Sequence, residues 1–285
     1  MITLTDHFSA LAANYDVVLS DVWGVTHNGI TAFPEACDAL VRYRAQGGTV
    51  ILITNAPRRG EAVLRQIDQM GVPRAAYDGI VSSGDVTCGV MAQRPGQSVF
   101  HLGPQRDISI FDGLNARFAP VEEADYVVCT GLFNDETETP ESYRDMLTLM
   151  RKRSLFMICG NPDVVVERGD TLVYCAGAIA DLYGTLGGEV LYAGKPYAPI
   201  YEMALAKAEK ARAAKVAPSR VLAIGDSVRT DLKGAATFGI DCLFVTAGVH
   251  AEELGHRHDP DLQALTKIFS DAGLAARAVT RTLVW

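Results

Sequence analysis

The 285-residue sequence predicts an α/β fold with a parallel sheet. Three observations carry that expectation. Strand-like and helix-like segments alternate, the strands are apolar without interruption, and polar turns follow several of them directly. A strand with one wet face alternates apolar and polar residues. An unbroken apolar run has both faces covered, as helices cover a parallel sheet.

Val17-Val18-Leu19-Ser20-Asp21 is a short apolar run that ends in an acid. Glu35 to Gln46 has a helical pattern, stopped by Gly47-Gly48. Thr49 to Thr54 is rich in β-branched residues and reads as a second buried strand. Pro57 to Met70 reads as a helix, with Pro in its first turn and Gly71 past its end. Pro199 to Lys215, rich in Ala, Glu and Lys, is a long helix. It leads into a strand at Arg220 to Ile224 and the acidic turn Gly225-Asp226. Leu232 to Phe238 is a helix closed by Gly239, and Cys242 to Val245 is a last strand.

The middle of the chain has strand-like runs of its own at Ser98 to Leu102, Tyr126 to Cys129, Leu155 to Ile158 and Thr171 to Tyr174. It is long enough for a separate core and lies between two halves that each carry acidic turns. The expected organisation is therefore a core domain of residues 1–84 and 191–285 with residues 85–190 inserted.

Composition narrows the function. Lys and Arg number 26 against 34 Asp and Glu, a net charge of −8 with no basic block. Such a chain has no electrostatic footprint for nucleic acid or an anionic membrane, so an anionic ligand would need local donors or a metal ion. Met1 to His7 lacks the basic and apolar segments of a signal peptide, and no run approaches the ~18 apolar residues of a membrane helix. Cys37, Cys88, Cys129, Cys159, Cys175 and Cys242 form no CxxC pair. Free buried thiols in a reducing cytoplasm are expected.

In an open parallel sheet, ligands collect beyond the carboxyl ends of the strands. Four polar clusters fall there or beside it: Asp21-Val22-Trp23-Gly24-Val25, Thr54-Asn55, Gly194-Lys195-Pro196, and Gly225-Asp226 with Thr230-Asp231. Singly, each is an ordinary turn, cap or surface lysine about as often as a site. In this order, together with Asn28-Gly29, Asn161-Pro162-Asp163 and Gly177-Ala178, they resemble the haloacid dehalogenase-like hydrolase superfamily, specifically its type IIA, NagD-like branch. The resemblance spans about residues 14 to 250. It implies a Rossmann-like parallel-sheet core with an inserted α/β cap domain.

It also implies a chemistry: Mg²⁺-dependent hydrolysis of a small phosphorylated metabolite through an aspartyl-phosphate. Asp21 would be the nucleophile, and Asp21, Asp226 and the Trp23 carbonyl would hold Mg²⁺, with Asp231 as a second-sphere or water-mediated partner. Thr54 and Asn55 would bind the phosphoryl oxygens. Lys195 would hold Asp21 ionised and neutralise charge. Asn161 and Asp163 would face the substrate from the cap. Related caps also mediate dimers, so the resemblance allows a homodimer.

One position departs from the pattern. The superfamily's phosphatases usually carry an acid two residues after the nucleophile, and here that position is Trp23, whose indole can neither give nor take the proton. Three outcomes stay open: substrates whose leaving group needs no proton, a replacement acid such as His27 or Asp163, or a phosphate-binding protein with negligible turnover. Weaker signals each have a plain structural reading. Arg58 and Arg59 suit a solvated first turn, Arg229 a partner for Asp226 or Asp231, and Asn134 to Glu141 a solvated loop and helix start. His256-Arg257-His258-Asp259 has metal-like spacing but reads as an exposed loop.

Overall fold

The computed structural model describes residues 2–168, 171–255 and 260–285. The strands are β1 (Val17–Asp21), β2 (Thr49–Thr54), β3 (Gly79–Ser82), β4 (Ser98–Leu102), β5 (Arg117–Phe118), β6 (Tyr126–Cys129), β7 (Phe156–Cys159), β8 (Val165–Arg168), β9 (Thr171–Tyr174), β10 (Glu189–Tyr192), β11 (Val221–Gly225), β12 (Asp241–Val245) and β13 (Ala278–Thr280). The helices are α1 (Ser9–Ala12), α2 (Pro34–Ala45), α3 (Gly60–Gln69), α4 (Ser83–Ala92), α5 (Arg144–Lys152), α6 (Ala176–Thr185), α7 (Ala198–Arg212), α8 (Lys233–Phe238) and α9 (Leu262–Ala272). The α/β class expected from the sequence is the one observed.

The chain divides into two compact units. One comprises Met1–Thr54, Glu61–Val81 and Lys195–Trp285; the other comprises Asn55–Gly60 and Ser82–Gly194. The second unit thus takes in residues 55–60 as well as the middle of the chain.

The first unit holds a six-stranded sheet in the order β13-β12-β11-β1-β2-β3. Its pairings from β13 through β2 are parallel. Every residue of β1, β2 and β11 is buried, as their unbroken apolar sequences require. From β1 the chain moves outward to β2 and β3 on one side, and later to β11, β12 and β13 on the other. The crevice between β1 and β11 is therefore the topological switch point, where open parallel sheets bind their ligands.

The second unit has a five-stranded parallel sheet, β10-β7-β6-β4-β5, and a separate antiparallel hairpin of β8 and β9. Its core includes Leu102, Val127, Leu147, Met157, Ile179 and Tyr183, each fully buried. None of the six cysteines is in a disulfide, and five are buried. Burial pushes the Cys37 thiol up to about 11 and that of Cys129 up to about 12, so neither is a nucleophile at neutral pH.

Some boundaries differ from the sequence reading. The helix expected from Pro57 begins at Gly60. The preceding residues are tied to α4 instead: the Ser82 hydroxyl donates to the Arg58 carbonyl (2.5 Å) and the Gly60 N–H to Asp85 Oδ1 (3.0 Å). The helix expected at Leu232 starts one residue later, after a π-type turn over Val228–Leu232. The short strands β3, β10 and β13 carry periodicity too brief to read without their neighbours, and the helix α9 adds to those expected from the sequence.

Candidate active site

The register of the first unit brings three acids to one place. Ser20 is level with Ile224, and Asp21 with Ile53. Asp21 therefore ends β1 beside Gly225, Asp226 lies one residue beyond, and Thr54 lies one residue past Asp21 on the other side. Asp231 returns to the same point through the π-type turn that follows β11. All four side chains are buried.

Lys195 joins two of the acids. Its Nζ lies 2.6 Å from Asp21 Oδ1 and 2.7 Å from Asp231 Oδ1, and the lysine is itself buried. The Val22 N–H also donates to Asp21 Oδ1 (2.7 Å), which fixes the plane of that carboxylate. The Ser227 N–H donates to Asp231 Oδ2 (3.2 Å), and the Val249 N–H to Asp226 Oδ2 (2.8 Å). One oxygen from each of Asp21, Asp226 and Asp231 lies within 4.8 Å of the others.

Three glycines make this crowding feasible. A Cβ at Gly24 would fall 2.1 Å from Asp226 Oδ2, and one at Gly248 only 1.9 Å from the same atom. A Cβ at Gly225 would fall 2.1 Å from Asp231 Cγ. Gly24 also has φ +80°, a conformation other residues adopt only with strain. Gly248 and the Val249 amide escaped the sequence reading. Their only signal is a glycine soon after β12, beside the equally unflagged Thr246, whose buried hydroxyl has no partner among the described residues.

Three carboxylates lie together with one ammonium, which pairs with two of them, so the cluster carries an excess of negative charge. Burial, then the neighbouring Asp231, pushes Asp226 up to about 7. Burial and Asp231 likewise raise Asp21 well above the usual carboxylate range, against the opposing pull of Lys195. Burial works against the Lys195 ammonium, but Asp21 and Asp231 outweigh it and raise its pKa. A bound divalent cation would remove the excess. The donors are all oxygen, which suits a hard ion such as Mg²⁺.

The other sequence candidates are placed as follows. In the second unit, the Asn55 side-chain amide donates to Asp163 Oδ1 (2.9 Å) and the Asp163 N–H donates to Asn161 Oδ1 (3.1 Å). These three residues form one polar set there. Arg58 lies 3.7 Å from Asp107, and Arg59 donates to the Asp112 carbonyl, so neither is the free first-turn arginine expected. Arg229 is exposed, and Asp231 pairs with Lys195 rather than with it. Asn134–Glu141 leads into α5 through a short 3₁₀ turn at Pro140–Tyr143. His256 to Asp259 lie outside the described residues.

His27 is buried, and burial pushes it down to about 4. Its Nδ1 accepts the Gly29 N–H (2.9 Å). That bond builds the ring into its own loop. Trp23 is 47% exposed and packs edge-on against His27, with ring centres 5.5 Å apart.

Similarity to known proteins agrees with this geometry. A family model for haloacid dehalogenase-like hydrolases matches residues 18–117, and a second, HAD-hydrolase-like model matches residues 192–268. A solved hydrolase of the haloacid dehalogenase-like family from Brucella suis 1330 is 47% identical, with 99% of this chain and 100% of that one covered and a TM-score of 0.86. The chain belongs to the haloacid dehalogenase-like hydrolase family. Two more distant structures share the fold of this family member. The p-nitrophenyl phosphatase of Archaeoglobus fulgidus is 22% identical over 94% of this chain and 97% of that one, with a TM-score of 0.74. NagD from E. coli K-12 is 19% identical over 94% and 97%, with a TM-score of 0.69. The NagD-like resemblance seen in the sequence thus holds as a likeness of fold. No curated protein matches the sequence. Among the described residues, no helix is long and apolar enough to cross a membrane.

Two predictions follow from the crowding and the charge. Gly248→Ala should leave the chain folded, by circular dichroism, yet weaken Mg²⁺ binding by at least roughly tenfold in calorimetry, because the Asp226 carboxylate must turn away. The second concerns pH. Asp226 keeps its proton up to about 7 in the folded chain, whereas an unfolded chain releases it near 3.8. Between those values the folded state binds more protons, so its stability falls as pH rises. The melting temperature in EDTA should therefore drop from pH 5 to pH 8, and the rise produced by Mg²⁺ should be larger at pH 8 than at pH 6. A Mg²⁺ effect that shrinks with rising pH would contradict this.

Proposed function

We propose that this hydrolase is a Mg²⁺-dependent phosphatase that cleaves a small phosphorylated metabolite through an aspartyl-phosphate on Asp21. The observation that carries this reading is the ammonium of Lys195 bridging Asp21 and Asp231, with Asp226 beside them at the switch point of the sheet. Phosphoryl transfer needs neutralised charge and in-line positioning more than elaborate covalent chemistry, and this cluster is arranged for both. The p-nitrophenyl phosphatase named above, which shares the fold, supports hydrolysis of a phosphate ester.

Asp21, Asp226 and the Trp23 carbonyl would hold the Mg²⁺, with Asp231 at one remove; when bound, the ion offsets the charge of the carboxylates and the phosphoryl group. Asp21 is the nucleophile, its plane set by Lys195 and the Val22 amide. Lys195 also neutralises charge on the phosphoryl group in the transition state. Thr54, at the end of β2, donates its hydroxyl to a phosphoryl oxygen, and the Asn55 N–H assists. In the second unit, Asp163, bound to the Asn55 side chain, and Asn161 form a polar set of their own, for which the family resemblance implies a substrate-reading role. The six free thiols suit a reducing cytoplasm.

Trp23 favours a second reading, a protein that binds a phosphorylated ligand without turning it over, because its side chain cannot act as acid or base. A phosphate-release panel separates the two. The phosphatase reading expects release by the wild type that stops with EDTA and with Asp21→Asn, while Lys195→Met lowers kcat by about 10²–10³-fold. Persistent release by Asp21→Asn would overturn the aspartyl-phosphate route. Mg²⁺-dependent thermal stabilisation by a phosphorylated metabolite, with no phosphate released, would establish the binding reading.

A further inference from the structure

The loop after β12 grips the turn after β11 with two successive residues. Val249 N–H donates to Asp226 Oδ2 (2.8 Å), and the His250 ring accepts at Nε2 from Val228 N–H (3.2 Å). Val228 is buried and opens the π-type turn that carries Asp231. The amides around it are engaged within the turn: Ser227 N–H donates to Asp231 Oδ2 (3.2 Å) and Thr230 N–H to the Ser227 hydroxyl (3.3 Å). A buried amide needs an acceptor, and His250 supplies the one that closes this turn.

The ring is held from three sides. Because Nε2 accepts, the hydrogen of the imidazole sits on Nδ1, which lies 2.9 Å from Glu253 Oε2. Glu253 thus selects the one tautomer that can receive Val228 N–H; the other would set two hydrogens against each other. Leu254 N–H donates to the His250 carbonyl (3.0 Å), so His250 and Glu253 ride on one turn of chain. Behind the ring stands Phe244 of β12, with centres 6.2 Å apart, and Phe269 of α9 meets Phe244 edge-on at 5.1 Å. Packing against Phe244 asks only for a ring. It does not ask for an acceptor at Nε2, nor for a carboxylate that fixes the tautomer.

We propose that His250, oriented by Glu253, is a positioning residue of the acidic cluster. Through the Val228 amide it fixes the turn that brings Asp231 to Lys195, while the adjacent Val249 amide fixes Asp226. This rests on the reading of the three acids as a Mg²⁺ site and adds the outer contact that sets their spacing. Neither His250 nor Glu253 touches the cluster itself; both act through backbone. Outer partners of metal ligands are typically worth about 10–100-fold in metal affinity.

The test is calorimetric titration of the full chain with Mg²⁺ alone, with thermal unfolding in EDTA to show that each variant is folded. His250→Phe keeps a ring against Phe244 and loses the acceptor, so its Mg²⁺ affinity should fall about 10–100-fold. His250→Gln places an amide oxygen at the reach of Nε2 and should recover most of that loss. His250→Asn reaches only as far as Nδ1 and should not. Glu253→Ala should fall between wild type and His250→Phe, because the ring is then free to take the other tautomer. Wild-type affinity in folded His250→Phe, or a loss in His250→Gln as large as in His250→Phe, would overturn this inference and leave the Mg²⁺ reading standing. Wild-type protein that binds no Mg²⁺ would overturn both.

Discussion

The ammonium of Lys195, 2.6 Å from Asp21 and 2.7 Å from Asp231, is the contact on which the site depends. Taking a charge out of water costs several kcal/mol per ion, and a single lysine offsets only part of the cost of three buried carboxylates. The surplus leaves two ways to reach balance, protonation of an acid or binding of a cation. Asp226, pushed up to about 7 by burial and by Asp231, stands where the two compete near neutral pH. The net charge of −8 thus does not oppose an anionic substrate, because the proposed site would set a bound cation beside the Lys195 ammonium among its acids.

The sheet makes this arrangement possible by its order. Strands β1 and β11 are neighbours though far apart in sequence, and their register sets Asp21 and Asp226 one residue out of step across the switch point. Backbone then comes close where side chains could not. Gly24 and Gly248 close on one oxygen of Asp226 from two loops, and Gly225 on Asp231. Each glycine is as much a part of the site as the acid it touches, since a methyl group there would displace the carboxylate.

Much of this was legible in the sequence. The strands ending at Asp21 and Thr54 stand out because every residue of β1 and β2 is buried, and only unbroken apolar runs survive that environment. Asp226, Asp231 and Lys195 were visible only as a set: singly each is as often an ordinary turn or surface residue, and it was their order along the chain after Asp21 and Thr54 that resembled the family. What the sequence hid depends on tertiary contact. Gly248 and the Val249 amide matter only because β12 brings them beside Asp226. The start of α3 moved because Ser82 and Asp85 claim the preceding backbone. His27, open as an acid from sequence, is lowered to about 4 by burial that no local pattern announces.

Asp21, oriented by Lys195, is proposed to accept the phosphoryl group covalently. The direct measurement is mass spectrometry of protein acid-quenched during turnover of 4-nitrophenyl phosphate with Mg²⁺, followed by digestion. A phosphoryl increment on the peptide that contains Asp21, absent when EDTA is present, is the result expected. Turnover with that peptide unmodified at every quench time, or with the increment on another residue, would contradict it.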